Sequence, residues 1–281
     1  MSTSALYVVA TPIGHMDDLS PRARSILGSV DLIAAEDTRR AGLLLSKLGI
    51  KPSGLVSYYD QIEDSRAPQL VKRMKDEGIS IALISDAGSP CIADPGYRLV
   101  RQARDAGIAV HPIPGPSAVT SLVSVSGLAC HRFLFIGFLP TKDGAFHKEM
   151  ESWKQVGGSV IFYESPRRLA KSLEKIATAY PGVRLAIGRE MTKLHEEIVT
   201  MAAEDAILWA QNHENLKGEA AVMVDLSQME KPSISTIEDL LTEDLNQGLT
   251  FKDILKKYKD DGYSKSELYQ KLIELKNGKD A

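Results

Sequence analysis

The stretch from residue 81 to residue 96 reads IALISDAGSPCIADPG. Its first four residues are apolar without polar alternation, which predicts a strand that is covered on both faces. A bend rich in glycine and proline follows directly. Because ligands of an open α/β sheet bind outside the carboxyl ends of its strands, this bend is a candidate binding loop. The stretch therefore predicts an α/β fold with a ligand site at the ends of its strands.

The same arrangement continues on both sides of this stretch, where short apolar runs alternate with amphipathic segments. This alternation is typical of strands joined by crossover helices. Ser20 before Pro21 predicts a helix start, and Gly49, Gly78 and Gly107 predict helix ends, where glycine adopts a left-handed conformation. The predicted strands are Ala5–Ala10, Leu32–Ala35, Leu55–Tyr58, Ile81–Ser85, Val110–Ile113, Phe133–Phe138, Val160–Tyr163, Leu185–Gly188 and Ala220–Leu226.

Two breaks divide the chain into three predicted parts. The sequence IPGPS at 113–117 places a first boundary, and the polar linker SQMEKPSIS at 227–235 places a second. The prediction is an N-terminal α/β domain at 1–115, a second α/β domain at 116–229, and a helical extension at 230–281. Within the extension, 236–277 predicts three short helices, with Thr250 and Ser264 at two helix starts and a helix-turn-helix outline. This extension is either a helical cap or a nucleic-acid reader.

Composition narrows the class of protein. The 281 residues are 43% hydrophobic and 25% charged, with a formal net charge of −3, which is typical of a globular protein without a global attraction to polyanions. Cys91 and Cys130 provide no disulfide framework or zinc spacing, and both are expected to be buried. No signal peptide and no apolar segment of membrane-spanning length is evident. We therefore expect a cytoplasmic protein without a metal site or a membrane anchor.

Three bends at predicted strand ends form the candidate ligand site. They are Thr11-Pro12-Ile13-Gly14, Ser85–Pro90, and Pro114–Ala118. The chain has no GxGxxG, P-loop, HExxH or GxSxG motif, which removes the common dinucleotide, nucleotide, zincin and hydrolase interpretations. Bends rich in proline donate few N–H groups, so they favour a ligand without phosphates. Asp86, beside Gly88, can accept hydrogen bonds from an amine or a ribose hydroxyl.

Three charged segments in the second half of the chain lie at the ends of other predicted strands. They are 162–168, 188–193 and 217–219, and each combines acidic with basic residues. Such groups are either surface ion pairs of little energetic value or the polar end of a site.

These segments together resemble a known family. The motifs are ATPIG at 10–14, AAEDTR at 34–39, SDAGSP at 85–90, DPG at 94–96, PGPSA at 114–118, GFLP at 137–140, FYES at 162–165 and REMTK at 189–193. In this order and spacing, over roughly residues 5–226, they resemble the tetrapyrrole methylase superfamily, the class III S-adenosylmethionine methyltransferases, and within it the branch that methylates ribosomal RNA. The helical tail also looks like that branch's C-terminal extension. The chain departs from the family pattern at His15-Met16, Arg40-Ala41 and Arg167.

The resemblance implies a homodimer of subunits with two α/β domains and a cleft between them, plus the small helical extension. S-adenosyl-L-methionine would be the cofactor, and the partner would be small-subunit ribosomal RNA, methylated on the ribose 2′-hydroxyl of a cytidine in the decoding region. The residues expected to bind the cofactor are Pro12, Gly14, Asp86, Ala87, Gly88, Ser117, Ala118 and Tyr163.

The acceptor end, which is the part of the cleft that would hold the ribose receiving the methyl group, is a hypothesis from residue chemistry. Methyl transfer to a ribose hydroxyl needs a base, and a carboxylate or a lysine with a lowered pKa suits that role. The candidate bases are Glu190, Lys193 and Asp37. Substrate contacts are expected from Glu36, Arg39, Arg167 and Arg189, since arginines grip phosphates with two parallel hydrogen bonds.

Two other functions remain compatible with the residues. One is a methyltransferase of the same superfamily that acts on a corrinoid or porphyrin precursor. The other is an RNA-binding assembly factor without catalytic activity.

Overall fold

The computed structural model describes residues 4–213, 218–228, 237–258 and 265–277. In these ranges the strands are β1 (Ala5–Val9), β2 (Leu32–Ala35), β3 (Leu55–Ser57), β4 (Ile81–Ile84), β5 (Ala109–Ile113), β6 (Phe133–Phe138), β7 (Ser159–Glu164), β8 (Arg184–Arg189), β9 (Glu197–Ala202) and β10 (Ala220–Asp225). The helices are α1 (Pro21–Ser29), α2 (Thr38–Lys47), α3 (Asp60–Glu77), α4 (Tyr97–Asp105), α5 (Ala118–Val125), α6 (Asp143–Trp153), α7 (Pro166–Ala179), α8 (Ala203–Asn212), α9 (Ile237–Asn246), α10 (Phe251–Lys257) and α11 (Lys265–Asn277).

The first sheet is parallel throughout, in the order β3-β2-β4-β1-β5. Its central strands are buried on both faces because helices cover both sides. In β4, for example, Ala82 and Ile84 belong to one apolar cluster, while Ile81 and Leu83 belong to the cluster on the opposite face. This is the arrangement that a strand without polar alternation predicts.

The second sheet is mixed, in the order β6-β7-β10-β8-β9. The neighbours β6 and β7 pair in parallel, whereas β10 is antiparallel to both of its neighbours, β7 and β8, and β9 is antiparallel to β8. Its larger apolar cluster contains Trp153, whose ring stacks on those of Phe162 and Tyr180 at 5.9 and 6.0 Å. Every predicted strand is present, with ends that differ by at most one residue. The edge strand β9, which reads EIVTMA and is mostly half-buried, was not predicted.

The predicted helix boundaries of the α/β part are confirmed. The Ser20 side chain accepts a hydrogen bond from the Ala23 N–H at 3.1 Å, and Pro21 is the first residue of α1. Gly49, Gly78 and Gly107 have φ angles of 68°, 68° and 73° after α2, α3 and α4. Cys91 is half-buried, but the expectation of a buried Cys130 is wrong, since this residue is exposed between α5 and β6.

The chain separates into two compact units, residues 1–228 and 229–281. The first contains both sheets, and the predicted α/β class with helices at the C-terminal end is confirmed. The domain boundary between 115 and 116 falls between β5 and α5 and stays a prediction. None of the described helices is long and apolar enough to cross a membrane.

The second unit consists of α9, α10 and α11, as predicted. Its core contains Leu241, Ile254, Tyr258, Leu268 and Leu272. Thr250 and Asp253 form a reciprocal capping box at the start of α10. The predicted cap at Ser264 and the turn between α10 and α11 lie outside the described residues.

Candidate active site

The three predicted ligand-binding bends contact one another. Thr11 and Gly88 form an isolated antiparallel bridge that joins the bend after β1 to the bend after β4. The Ser89 hydroxyl donates a hydrogen bond to the Pro116 carbonyl at 3.2 Å, which joins the second bend to the third. A Cβ atom on Gly115 would lie 3.1 Å from the Cβ of Ala10, so the third bend also packs against the first.

A cavity of about 410 Å³ opens beside these bends. This volume is within the range of small-molecule sites. Both sheets contribute to its walls, since Asp86 follows β4, Tyr163 lies on β7 and Ala220 begins β10.

Nine of the residues predicted for the site line this cavity. They are Glu36, Asp86, Ala87, Gly88, Ser117, Ala118, Tyr163, Glu190 and Lys193. Six others are not among its lining residues: Pro12, Gly14, Asp37, Arg39, Arg167 and Arg189.

The acidic wall of the cavity contains three carboxylates, Glu36, Asp86 and Asp94. Burial raises the pKa of Asp94 to about 7, and the nearby charge of Glu36 adds to this shift. Burial and the charge of Asp86 likewise raise the pKa of Glu36. These carboxylates therefore repel one another, and a positively charged ligand would relieve that repulsion.

Asp86 is held in place by two donors from the segment after β2. Its carboxylate accepts a hydrogen bond from the Asp37 N–H at 3.2 Å and forms an ion pair with the Arg40 guanidinium at 2.9 Å. Arg40 also lines the cavity, and two thirds of its side chain is exposed. The exposed guanidinium of Arg40 therefore lies at the edge of the cavity, beside the acidic wall.

A second charged group lies where β8 ends and β10 begins. The Lys193 ammonium contacts the Glu190 carboxylate at 2.9 Å and the Glu219 carboxylate at 3.1 Å. Burial raises the pKa of Glu190, but hydrogen bonds from Lys193 and from the Glu219 N–H outweigh it, so the net shift is downward. Burial lowers the pKa of Lys193, yet its contacts with the two carboxylates raise it overall. Lys193 is thus held in its charged form, which disfavours it as a base.

The remaining predicted residues have other contacts. The Asp37 carboxylate caps α2 by accepting hydrogen bonds from the N–H groups of Arg39 and Arg40, and it pairs with the Arg39 guanidinium at 2.8 Å. The Arg39 hydrogen bonds lower the pKa of Asp37 strongly, which makes it a poor proton acceptor. Arg189 pairs with Glu197 on β9 at 3.2 Å, and Arg167 is exposed near the start of α7.

Gly14 packs against Thr192 and Lys193 and is not itself among the residues that line the cavity. A Cβ atom there would lie 2.6 Å from both Lys193 Cγ and Thr192 Oγ1. The neighbouring His15 N–H donates a hydrogen bond to Thr192 Oγ1 at 3.1 Å. The bend after β1 is therefore joined to the loop after β8.

The sequence analysis missed Arg40, Asp94 and Glu219 as lining residues. Asp94 carried a signal, since it lies in the DPG motif close behind the second bend. Glu219 became recognisable only from the direction of β10, whose first residues meet the ends of β7 and β8 because it runs antiparallel to them. Among the described residues, no group of three or more His, Cys, Asp or Glu is placed to hold a metal ion.

Comparison with known sequences identifies relatives over most of the chain. A model of the family described as Tetrapyrrole (Corrin/Porphyrin) Methylases matches residues 5–207. A protein from Mesorhizobium japonicum named Ribosomal RNA small subunit methyltransferase I is 41% identical over 274 residues, which cover 97% of this chain and 92% of the relative. A protein of the same name from Haemophilus influenzae is 40% identical over 276 residues, covering 95% and 96%.

Solved structures share the fold at much lower identity. Diphthine synthase aligns with a TM-score of 0.63 at 14% identity, over 80% of this chain and 90% of its own. The methyltransferase CobJ aligns with a TM-score of 0.60 at 18% identity, over 79% and 94%. These similarities concern the fold alone.

Proposed function

This chain belongs to the tetrapyrrole methylase family, and from that premise we propose that it methylates the ribose 2′-hydroxyl of a cytidine in the decoding region of small-subunit ribosomal RNA. Enzymes of this family use S-adenosylmethionine as the methyl donor. The names of the relatives support the RNA substrate. The observation that carries the proposal is a single cavity that is lined both by the acidic wall and by the Glu190–Lys193–Glu219 group.

The acidic wall fits the charge of the donor. S-adenosylmethionine carries positive charge on its sulfonium and its amine, and Glu36, Asp86 and Asp94 present carboxylates to the cavity. Ile13, Ala118 and Tyr163 supply apolar surface beside them. When bound, the donor supplies a methyl group on a positively charged sulfur, and these residues would bind it and exclude water.

Glu190 is the proposed base. Its carboxylate lines the cavity, which that of Asp37 does not, and it is ionised at neutral pH. The hydrogen bonds that lower its pKa also weaken it as a base, so the assignment rests on its place in the cavity. As the proton of the 2′-hydroxyl passes to Glu190, the ribose oxygen gains the electron density that nucleophilic attack requires. Lys193, held as a cation, would fix the Glu190 carboxylate and attract the phosphate next to the reacting ribose.

The proposal also includes a homodimer in the cytoplasm. Its support is the family resemblance of the motifs at 10–14, 85–90 and 114–118.

Methyl transfer to purified small ribosomal subunits tests this function. The protein is incubated with subunits that lack ribose methylation and with labelled S-adenosylmethionine, and the label is then mapped by resistance of the RNA to alkali. We expect label on one cytidine of the decoding region. Label on a base atom, or none on RNA, would contradict the proposal.

Three further measurements separate the alternatives. Label transferred to a porphyrin precursor but not to RNA would favour the small-molecule methyltransferase. Calorimetry that detects no binding of S-adenosylmethionine would favour an assembly factor. Residues 229–281 form a separate unit, so 230–281 can be deleted. The deletion should weaken methylation if the substrate is ribosomal RNA. It should leave methylation unchanged if the substrate is a porphyrin or corrinoid precursor.

A further inference from the structure

Gly218 leaves the space that the Glu190 side chain occupies. A Cβ atom at position 218 would overlap the Oε1 and Cδ atoms of Glu190 and would lie 2.7 Å from its Cγ. All three of these nearest atoms belong to Glu190. Any side chain at 218 would therefore displace the carboxylate that lines the cavity.

Gly14 has the same relationship with the other member of the pair. The Cβ position of Gly14 lies 2.6 Å from Lys193 Cγ and from Thr192 Oγ1, well inside contact distance. Gly14 lies in the bend after β1 of the first sheet, whereas Gly218 precedes β10 of the second sheet. The Glu190–Lys193 pair is thus enclosed by two glycines from different parts of the chain.

The loop at residues 190–193, which lies between these two glycines, depends on contacts with the surrounding structure. Glu190 and Thr192 have φ angles of 48° and 65°, a left-handed conformation that residues with side chains rarely adopt. The Glu190 N–H donates to the Glu219 carbonyl at 3.0 Å, and the Glu219 N–H donates back to Glu190 Oε1 at 3.0 Å. Strained conformations of this kind persist only where the surrounding structure holds them.

We propose that Gly14 and Gly218 are positioning residues for methyl transfer, because their missing side chains let Glu190 and Lys193 reach the acceptor end of the cavity. This inference rests on the proposed function, in which Glu190 is the base. It assigns to Gly14 a different role from cofactor binding.

The first test compares turnover with donor affinity in the full-length protein. Gly218→Ala and Gly14→Ala should each lower kcat by about a hundredfold, since a displacement of about 1 Å costs that much. The Kd for S-adenosylmethionine, measured by calorimetry, should change less than about threefold. Gly182→Ala is the control for Gly218→Ala, because both glycines have a positive φ, 71° and 92°, but Gly182 has no atom within 4 Å of its Cβ position, so it reports backbone strain alone. A kcat of Gly218→Ala or Gly14→Ala equal to that of the control would overturn the proposal.

The second test needs no activity. Tm is measured for Gly218→Ala, Glu190→Ala and the double variant. Since Glu190→Ala removes all three overlapping atoms, Gly218→Ala should lower Tm clearly less in that background than in the parent. An equal drop in both backgrounds overturns the positioning role even if Glu190 proves to be the base. A Tm drop that is smaller in the Glu190→Ala background, together with full activity of Glu190→Gln, leaves the packing relationship between Gly218 and Glu190 intact and rejects Glu190 as the base.

If Gly218→Ala does not fold alone, recovery of folding in the Glu190→Ala background supports the same steric relationship. Failure to fold in both backgrounds overturns it.

Discussion

Thr11 and Gly88 exchange two backbone hydrogen bonds, 2.8 and 3.0 Å long, across the bends that follow β1 and β4. These strands are neighbours in the first sheet, so the bridge extends their pairing beyond the end of the parallel ladder. Thr11 is fully buried, and Gly88 has a φ of 80°, which allows its chain to turn at this point. The two bends therefore form one rigid rim, and Ile13 and Asp86 line the cavity at a fixed spacing.

Glu190→Gln should lower kcat at least about a hundredfold, the loss expected when a general base is removed. Glutamine keeps the size of the side chain and an oxygen that can accept the Glu219 N–H, so the loop should keep its shape. The measurement is the initial rate of methyl incorporation into small subunits. Glu219→Gln is the comparison, since its carboxylate also pairs with Lys193 but is largely exposed. Activity of Glu190→Gln within about threefold of the parent would remove the base assignment.

Asp94→Asn should stabilise the ligand-free protein at pH 8 but not at pH 4. The pKa of Asp94 in the folded protein is about 7, above the 3.8 of a free aspartate side chain, because burial and Glu36 disfavour the charge. The folded state thus binds this proton more tightly than the unfolded state, and stability is lost as pH rises from about 4 through about 7. The substitution removes that loss.

Thermal unfolding at the two pH values measures this effect. We expect Tm to rise by about 2–4 °C at pH 8, the shift that roughly 1 kcal/mol produces in a unit of this size, after allowance for partial exposure of the carboxylate. The same substitution should weaken binding of S-adenosylmethionine at pH 8, since one carboxylate of the acidic wall is lost. An equal Tm shift at both pH values would show that ionisation of Asp94 is not the cause.

Glu63→Ala should destabilise the loop that carries Asp94. The buried Glu63 carboxylate accepts hydrogen bonds from the Tyr58 hydroxyl at 3.0 Å, the Gly96 N–H at 2.9 Å and the Arg98 N–H at 3.2 Å. Alanine leaves buried donors without partners, at about 1–3 kcal/mol for each. We expect the free energy of unfolding in urea to fall by roughly 3 kcal/mol and donor affinity to fall with it.

Glu63→Gln is the matched variant, because it keeps an acceptor oxygen at the same place. It should cost less than about half as much as alanine. Equal losses for the two variants would mean that the hydrogen bonds from Gly96 and Arg98 do not stabilise this loop.

Arg40→Ala should raise the KM for ribosomal subunits about tenfold, whereas Arg39→Ala should change it little. Arg40 lines the cavity and is largely exposed, so it can pair with a phosphate of the RNA. Arg39 is outside the cavity lining and pairs with Asp37. The slope of log affinity against log salt concentration should become less steep by about one for Arg40→Ala, as expected for the loss of one phosphate contact. Equal effects of the two substitutions would contradict a specific role for Arg40.

The ends of β1, β4 and β5 in the first sheet could be predicted because each of these apolar runs is followed by a bend rich in glycine or proline. Asp86 and Gly88 were found in this way, since parallel strands bring their carboxyl ends to one edge. The same reasoning does not reach Glu219, because it precedes its strand, and only the antiparallel direction of β10 brings it to the cavity.

Arginine partners were not predictable from position along the chain. Arg39 and Arg189 belong to the motifs AAEDTR and REMTK, but Asp37 and Glu197 hold them by local ion pairs. Glu197 lies on β9, the strand that was not predicted, so its proximity to Arg189 depends on a pairing that the sequence analysis does not include. Arg40, which does reach the cavity, differs from Arg39 only by one position in α2.

The central place of β10 in the second sheet has a consequence for biosynthesis. The strand lies between β7 and β8, yet it is the last of the ten to be translated. All strands of the first sheet are available once Ile113 has been added, and domains generally fold from the N-terminus as the chain emerges. The second sheet cannot close until Asp225 has left the ribosome. A nascent chain therefore completes the cavity that both sheets line only at the end of synthesis of its α/β part.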